Sequence, residues 1–489
     1  MLQLTVRTIT ESTLSSLKST VLSLFLFVII SIFLYRRFLR KSIPSPNIGL
    51  PFIGDALGYG KDPVDFVRRA TVKCGQVFRI NMILNNIVFL RGTEMNKMYL
   101  DTREEVWSFG DGMGLFLNKV VIPGYFAHLK RLVSSLNRGI NRTVALDHYT
   151  KIAAEESEKS LRDWASKPDI ELFEEVSKFA HKVIVRCLMG QDFYDNNLDE
   201  LYDLLHRMEA DIGHPFNFLF PDWVPHPPAR RLGKCRDRVA EIFHERLKER
   251  ELNAEQWDNA LDYISFTLND KTTAYLKEFY PAHHTLLMFA AHTSTVASIA
   301  WTIIELIRSP THMNMLREAL SECPNIHKSP HLVAYLKETG RRYSGVNMLR
   351  LARRQVQLPD SNLSIPRGWV VSISPYLTHH DPTIYSHPEE WDPERWLRQG
   401  ELPEQLNTTK GVAFLQFGAG SHRCPGENMA GIIAREMIST LVKNYNVEWG
   451  TRGPPNDFSQ LDFTKIGSPW LKGDASVAIK CREEIGTVK

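Results

Sequence analysis

Residues 415–430 read LQFGAGSHRCPGENMA, a glycine-rich loop that carries one cysteine, Cys424, and runs straight into a helical pattern. Gly418, Gly420 and Gly426 let the backbone approach a flat partner and take φ values that other residues resist. Beyond Cys424 the apolar residues Met429, Ile433, Met437 and Leu441 recur every four positions, which predicts a helix beginning immediately after the cysteine. A thiol at a helix N-terminus, flanked by His422 and Arg423, is expected to have a lowered pKa and to exist largely as thiolate. Thiolates in such places act as nucleophiles or as soft metal ligands. A buried, unreactive cysteine is the third reading of the same residue.

The loop belongs to a chain of 489 residues with 43% apolar and 24% charged content, the balance of an ordinary globular protein. That length predicts one large or two fused domains. A net charge of only +3 gives no bulk electrostatic sign of nucleic-acid binding. Cys74, Cys187, Cys235, Cys323, Cys424 and Cys481 lie far apart. They form no CxxC motif and read poorly as a disulfide framework, so a reducing compartment is expected for most of the chain.

Upstream, residues 19–35 read STVLSLFLFVIISIFLY without a charge. As a helix this run would extend roughly 25 Å, at the short end for the hydrocarbon core of a bilayer. Lys18, Arg36 and Arg37 can snorkel and lengthen it. A cleaved signal peptide is the alternative, but no A-x-A-like site follows and the cationic cluster Arg36, Arg37, Arg40, Lys41 comes after the apolar run. The positive-inside rule keeps that cluster, and the body behind it, cytosolic. Residues 1–41 are therefore expected to be a membrane anchor with a basic flank. Residues 42–60, with Pro44, Pro46 and Pro51 among glycines, are expected to be a stiff tether. Residues 61–489 form the body.

Within the body, GQVFRINMILNNIVFLRG alternates apolar runs about Asn85 and Asn86 and predicts a β-hairpin. From roughly Asn141 to Leu320 the pattern is long, amphipathic and helical. Residues 359–376 return to short β-type segments. The predicted architecture is mainly α with a smaller β portion. Residues 281–309, PAHHTLLMFAAHTSTVASIAWTIIELIRS, read as a core helix, apolar nearly all round and opened by proline. His292, Thr293, Ser294 and Thr295 in its middle predict a kink or groove, or a plain helix whose hydroxyls bond the preceding turn.

The order Phe417-x-x-Gly420-x-His422-x-Cys424-x-Gly426 resembles the heme-ligand loop of the cytochrome P-450 superfamily. Three further segments resemble that superfamily in the right order. Glu338-x-x-Arg341 resembles its helical Glu/Arg pair, Arg395 in WDPERW the arginine that completes a buried triad, and Thr293 the alcohol of the central helix. The resemblance implies a single large domain of that fold behind the N-terminal transmembrane helix. It also implies heme b with Cys424 as axial thiolate to iron, in a loop that includes Phe417, Gly420, His422 and Gly426. Thiolate ligation favours O–O cleavage, which is the chemistry of a monooxygenase. Thr293 would then deliver protons, with His292 as a relay member because an unperturbed imidazole titrates near neutrality. The implied partners are an NADPH-cytochrome P-450 reductase, cytochrome b5, membrane lipid at the endoplasmic reticulum, and a hydrophobic small-molecule substrate, with no nucleic acid.

Within the superfamily the His292-Thr293 pairing and FGAGSHRC are similar to the sterol 14α-demethylase branch. By that likeness Arg131, Arg350 and His422 would hold the heme propionates, with Lys130 the neighbouring alternative to Arg131. Met113, Leu115, Phe116, Phe289 and Ile466 are expected to wall the substrate chamber, or to be plain core packing. The chain departs from the branch at Phe289-Ala290, at Gly340 in the Glu/Arg helix, and in the missing proline of RRYSGVNMLR. These departures imply altered specificity: hydroxylation or oxidative demethylation of a hydrophobic polycyclic, sterol-like or terpenoid substrate in a biosynthetic pathway. The competing readings are a heme-thiolate isomerase or dehydratase without a reductase, a sterol 14α-demethylase proper, a vestigial lipid-binding protein, and a cysteine hydrolase built on Cys424.

Overall fold

A computed structural model describes residues 43–46, 54–82, 85–214, 216–217, 224–257, 259–345, 347–359, 361–398, 411–463, 465 and 467–482, with 23, 26, 27, 29 and 30 of the N-terminal stretch. The expected anchor otherwise lies outside the described residues, as do residues 47–53 of the expected tether. The part of that tether at 43–46 is strapped to the body: the Arg79 N–H donates to the Pro44 carbonyl (2.8 Å) and Lys73 Nζ to that of Pro46 (2.7 Å).

The longer helices are α1 (Pro63–Cys74), α2 (Thr93–Asp101), α3 (Phe109–Leu117), α4 (Tyr125–Ile140), α5 (Thr143–Ala165), α6 (Leu172–Leu188), α7 (Gln191–Ile212), α8 (Pro227–Leu252), α9 (Tyr263–Asn269), α10 (Tyr280–Arg308), α11 (Pro310–Glu322), α12 (Pro330–Arg342) and α13 (Glu427–Asn444). The strands are β1 (Val77–Met82), β2 (Asn85–Leu90), β3 (Trp107–Ser108), β4 (Ile170–Glu171), β5 (Met348–Ala352), β6 (Val356–Gln357), β7 (Ser364–Ile365), β8 (Val370–Ile373), β9 (Tyr445–Trp449), β10 (Leu461–Asp462), β11 (Trp470–Leu471) and β12 (Ser476–Cys481). Mainly α with a smaller β portion describes this arrangement.

Helix α10 runs through the middle of the main core, as its all-round apolarity predicts, with Ile299, Ala300, Trp301, Ile303 and Ile304 inaccessible to solvent. Pro281 stands in its first turn, where a missing N–H costs nothing. Helices α6, α8 and α13 pack against it, and α5 packs on α13. Among the described residues, Ala274–Arg308 has the length and apolarity to cross a membrane, but it is mostly buried inside the protein, as a core helix is.

The five-stranded sheet has the order β1-β2-β8-β5-β3, with β2 and β8 parallel and the other pairs antiparallel. The predicted hairpin is β1–β2, but its turn is not at Asn85 and Asn86. Met82 pairs with Asn85 and Asn81 with Asn86, so both asparagines sit in the second strand, and the link between the strands lies outside the described residues. That register stacks Phe78 on Phe89, centroids 5.2 Å apart, in a buried pair that outweighs the turn preference of asparagine. A second sheet, β4-β12-β9, inserts β4 into the otherwise helical run from 141 to 320.

Candidate active site

The loop 415–426 is held from both ends. The Cys424 N–H donates to the Phe417 carbonyl (2.8 Å) and the Gly418 N–H to that of Leu415 (3.0 Å). Gly418 and Gly420 turn the chain at φ +67° and +66°, conformations that favour glycine. Helix α13 starts two residues past Pro425, and Met429, Ile433, Met437 and Leu441 are all buried, as their spacing predicts. A Cβ on Gly426 would stand 3.7 Å from Cys424 Sγ. The backbone here runs against the sulfur, and the Gly426 N–H bonds it.

The expected lowering of the Cys424 pKa is not found. The residue is exposed by area, yet enough protein surrounds its sulfur for burial to push the thiol above its ordinary value, against the Gly426 N–H. The flanking cations do not offset this. Arg423 is clamped on Glu427 (Nε–Oε2 2.6 Å, Nη2–Oε1 2.9 Å), whose own charge raises the thiol further. His422 Nε2 lies 3.2 Å from Glu104 Oε2. A coordinated metal reverses that balance, because coordination deprotonates a thiol outright. One sulfur backed by a peptide N–H, on a loop opened by two left-handed glycines, is a donor set that fits an axial thiolate to heme iron.

Beneath the loop lies a closed polar cluster. Glu338 is inaccessible to solvent and receives five donors. Oε1 takes Arg341 Nη2 (2.8 Å), the Asp392 N–H (3.0 Å) and Arg395 Nε (3.1 Å). Oε2 takes Arg341 Nε (2.9 Å) and Trp396 Nε1 (3.0 Å). Arg341 Nη1 also donates to the carbonyls of His379 and Pro388 (2.8 Å each). His379 carries the connection onward: its Nε2 accepts the Leu415 N–H (2.8 Å) and its Nδ1 meets Ser344 Oγ (3.0 Å). Burial, with the nearby Arg341 charge, lowers its pKa to about 3, so the ring is a neutral acceptor. The sequence reading missed this residue; HH at 379–380, between the triad segments, is its only trace. Gly340, one of the departures, also has its explanation. A side chain there would start 2.0 Å from the Gln416 carboxamide, so Gln416 fills the space that a leucine would take.

The three residues expected to hold propionates are not equivalent. Arg350 is buried and donates through Nη1 to the carbonyls of Tyr99 and Thr102 (2.8 Å each). His422 stacks on Phe109, the first residue of α3 (centroids 4.9 Å), and pairs with Glu104 in the stretch that leads into it. Burial raises the Glu104 carboxyl, but His422, the Phe109 and Gly110 N–H groups and the Ser108 hydroxyl outweigh it and bring its pKa to about 2. Arg131 is exposed on α4 and bonds the Tyr275 hydroxyl; Lys130 is also exposed. The structure therefore brings His422 together with Glu104 and Phe109, sets Arg350 on α2 and its end, and leaves Arg131 on Tyr275.

On α10, Thr293 and His292 point to different partners. Thr293 Oγ1 donates to Glu209 Oε1 on α7 (2.9 Å), and Lys465 Nζ donates to Glu209 Oε2 (3.0 Å). Lys465 Nζ also lies 4.1 Å from the Trp470 ring centroid, and Trp470 Nε1 donates to the Thr293 carbonyl (3.1 Å). His292 Nε2 meets Ser177 Oγ and the Ser177 carbonyl (3.2 Å each). Burial, then the neighbouring His206 and Lys465 charges, lowers its pKa to about 3, far from the near-neutral titration expected of a relay. Of the expected chamber residues, Met113 and Phe116 are half-buried on α3, Leu115 is exposed, Phe289 is packed in the main core, and Ile466 lies outside the described residues.

The family model for cytochrome P-450 matches residues 44–470. The chain is 62% identical over 447 residues to cytochrome P-450 monooxygenase pynD of Aspergillus niger, covering 90% of this chain and 93% of that protein. It is 27% identical to a lanosterol 14-alpha demethylase of Cunninghamella elegans, over 85% of this chain and 88% of the demethylase. Among solved structures, the retinoic acid-bound cyanobacterial CYP120A1 superposes with a TM-score of 0.74 at 18% identity, over 90% of this chain and 99% of the other. At that identity the likeness speaks to fold.

Proposed function

The chain belongs to the cytochrome P-450 family and is a monooxygenase of it, and from that premise we propose a membrane-anchored, NADPH-reductase-fed enzyme that oxidises a hydrophobic substrate at a heme held by Cys424. The observation that carries this reading is the Cys424 loop itself, with its sulfur bonded by the Gly426 N–H and its backbone anchored through His379 to the Glu338 cluster.

Heme bound at Cys424 supplies the one-electron and dioxygen chemistry. The protein's residues do the rest. The Gly426 N–H tempers the basicity of the sulfur. The five donors around Glu338 fix Arg341, which holds the His379 carbonyl, and His379 holds the Leu415 N–H, so the loop keeps one geometry. Thr293 is the hydroxyl suited to pass a proton. His292, buried and neutral on Ser177, orients α10 against α6 instead of carrying charge.

Altered specificity relative to the sterol demethylases is supported by the difference between 62% identity to a protein named as a monooxygenase and 27% to one named as a demethylase. A polycyclic, sterol-like or terpenoid skeleton rests on the weaker of these likenesses alone. The cytosolic body and the anchor rest on residues 19–41.

The deciding experiment is the difference spectrum of the dithionite-reduced protein with carbon monoxide, on wild type and Cys424→Ala. We expect a strongly red-shifted Soret band that the variant loses; a histidine-like band in the wild type ends the reading. Spin-state titration with sterols, terpenoids and non-cyclic apolar compounds then separates the substrate classes.

A further inference from the structure

The peptide unit that bonds the Cys424 sulfur has two polar ends. Its N–H, on Gly426, donates to the sulfur. Its carbonyl, on Pro425, accepts from Asn141 Nδ2 at 3.0 Å, across 284 positions of sequence. Asn141 closes α4 and is half-buried. The other hydrogen of its Nδ2 is shared between the Asn137 carbonyl (3.2 Å) and Asn137 Oδ1 (2.9 Å), one turn back. Its Oδ1 accepts from Asn428 Nδ2 at 2.9 Å.

The partners fix the orientation of this carboxamide. Backbone carbonyls only accept, so the group that faces Pro425 and Asn137 is the NH2. The oxygen then faces Asn428, in the first turn of α13, which presents its own NH2 in return. The end of α4, the cysteine loop and the start of α13 thus meet at one neutral side chain.

We propose that Asn141 is a positioning residue that tunes the electron donation of the Cys424 thiolate through the Pro425–Gly426 peptide, an inference that rests on the heme-thiolate reading above. A donor on the carbonyl oxygen draws charge toward that oxygen and makes the N–H at the other end of the same amide a stronger donor. The stronger N–H bond draws charge off the sulfur. A less basic thiolate favours the ferric state less over the ferrous one, so the midpoint potential rises. No proton moves and no covalent bond changes; the effect is polarisation alone. A carboxamide suits the task because it stays uncharged and adds no ion to a loop where Arg423 is already clamped on Glu427.

A plain staple between α4 and the loop would make the same contacts, so the test must read the electronics of the iron. On the full-length, heme-loaded protein it follows the ferric–ferrous midpoint by spectroelectrochemistry. It also follows the C–O stretching frequency of the reduced protein with carbon monoxide, by infrared. Asn141→Leu keeps the volume and loses the donor. We expect it to shift the midpoint to more negative potential and the C–O band to lower frequency, because a more basic sulfur sends more charge through iron onto carbon monoxide. Asn428→Ala removes only the bond that orients the carboxamide and should shift both in the same direction by less. Asn141→Ser, too short to reach the carbonyl, should match Asn141→Leu and decides the matter if the leucine variant does not fold. Thermal unfolding and heme content are measured alongside. Asn141 variants that lose stability or heme but keep the wild-type midpoint and C–O band make Asn141 a staple and overturn the proposal, as do shifts of the opposite sign. Loss of the thiolate-type Soret band in wild type overturns the heme reading instead, so the two failures are distinct.

Discussion

Two buried carboxylates of this protein, Glu338 and Glu209, have different surroundings. Glu338 has five donors, both of its cations are inaccessible or nearly so, and its partners lie between residues 341 and 396. Glu209 has one hydroxyl and one ammonium, and that ammonium is partly in solvent. Five donors on one carboxylate fix several segments at once, so Glu338 acts as a rivet. Glu209, with two partners, ties only Thr293 and Lys465 together. A rivet and a single tie are built from the same residue type, and the number of donors separates them.

The largest effect should come from breaking the rivet. Glu338→Ala leaves the guanidinium groups of Arg341 and Arg395 buried without their anion, which costs about 3–5 kcal/mol. Because Arg341 also holds the His379 carbonyl, and His379 holds the Leu415 N–H, heme retention should fall together with stability. Thermal unfolding and heme content per chain measure both. A variant that unfolds earlier but keeps full heme occupancy would show that the cluster stabilises the fold without fixing the loop.

A smaller and more specific effect is expected at Gly340. Gly340→Leu drives the new side chain into Gln416, and overpacking of that kind costs about 1–3 kcal/mol. Gln416→Ala should remove most of the penalty, since the two side chains then exchange the same space. Strictly additive effects in the double-variant cycle would refute the exchange.

How much of this was legible in the sequence follows from how far apart the partners are. The helix after Cys424 repeats every fourth residue, so its period alone revealed it, whereas Glu338, Arg341 and Arg395, with Arg395 57 positions from Glu338, were reached through the resemblance to the cytochrome P-450 superfamily. Glu209, Thr293 and Lys465 come from three segments separated by 84 and 256 positions in the bonds they make, and no periodicity links them. Adjacency suggested His292 as the partner of Thr293, but successive residues on a helix face different directions, and His292 faces α6. The Cys424 pKa was misjudged for a different reason. Burial of the sulfur, which no local pattern reveals, is the main cause, and Glu427, four residues after Arg423, adds to it. Gly340 was visible as a departure, but its cause, Gln416, is 76 residues away in sequence and became visible only once the loop was folded over α12.

The smallest effect concerns Glu104, which ties His422 to the segment before α3. Its carboxyl is lowered from 4.5 to about 2, so its contribution is fully present above pH 4.5 and is lost as pH falls through about 2. The side chain is 29% exposed, and after solvent screening the contribution is about 1 kcal/mol. The buried histidines act in the same sense, over a higher pH range. His181, His284, His292 and His379, brought down to between about 3 and about 4 by burial, must take up protons on unfolding once pH drops below 6.5. Each lowers stability by up to about 1.4 kcal/mol per pH unit below that point. Wild type and Glu104→Gln should therefore lose stability in parallel from neutral pH to 4.5, about 1 kcal/mol apart, and the gap should narrow only below 4.5. Denaturant unfolding of the two proteins across that range measures it. A gap that stays constant below 4.5 would mean that packing, not the charge on Glu104, accounts for the difference, and that His422 is held in place by Phe109 alone.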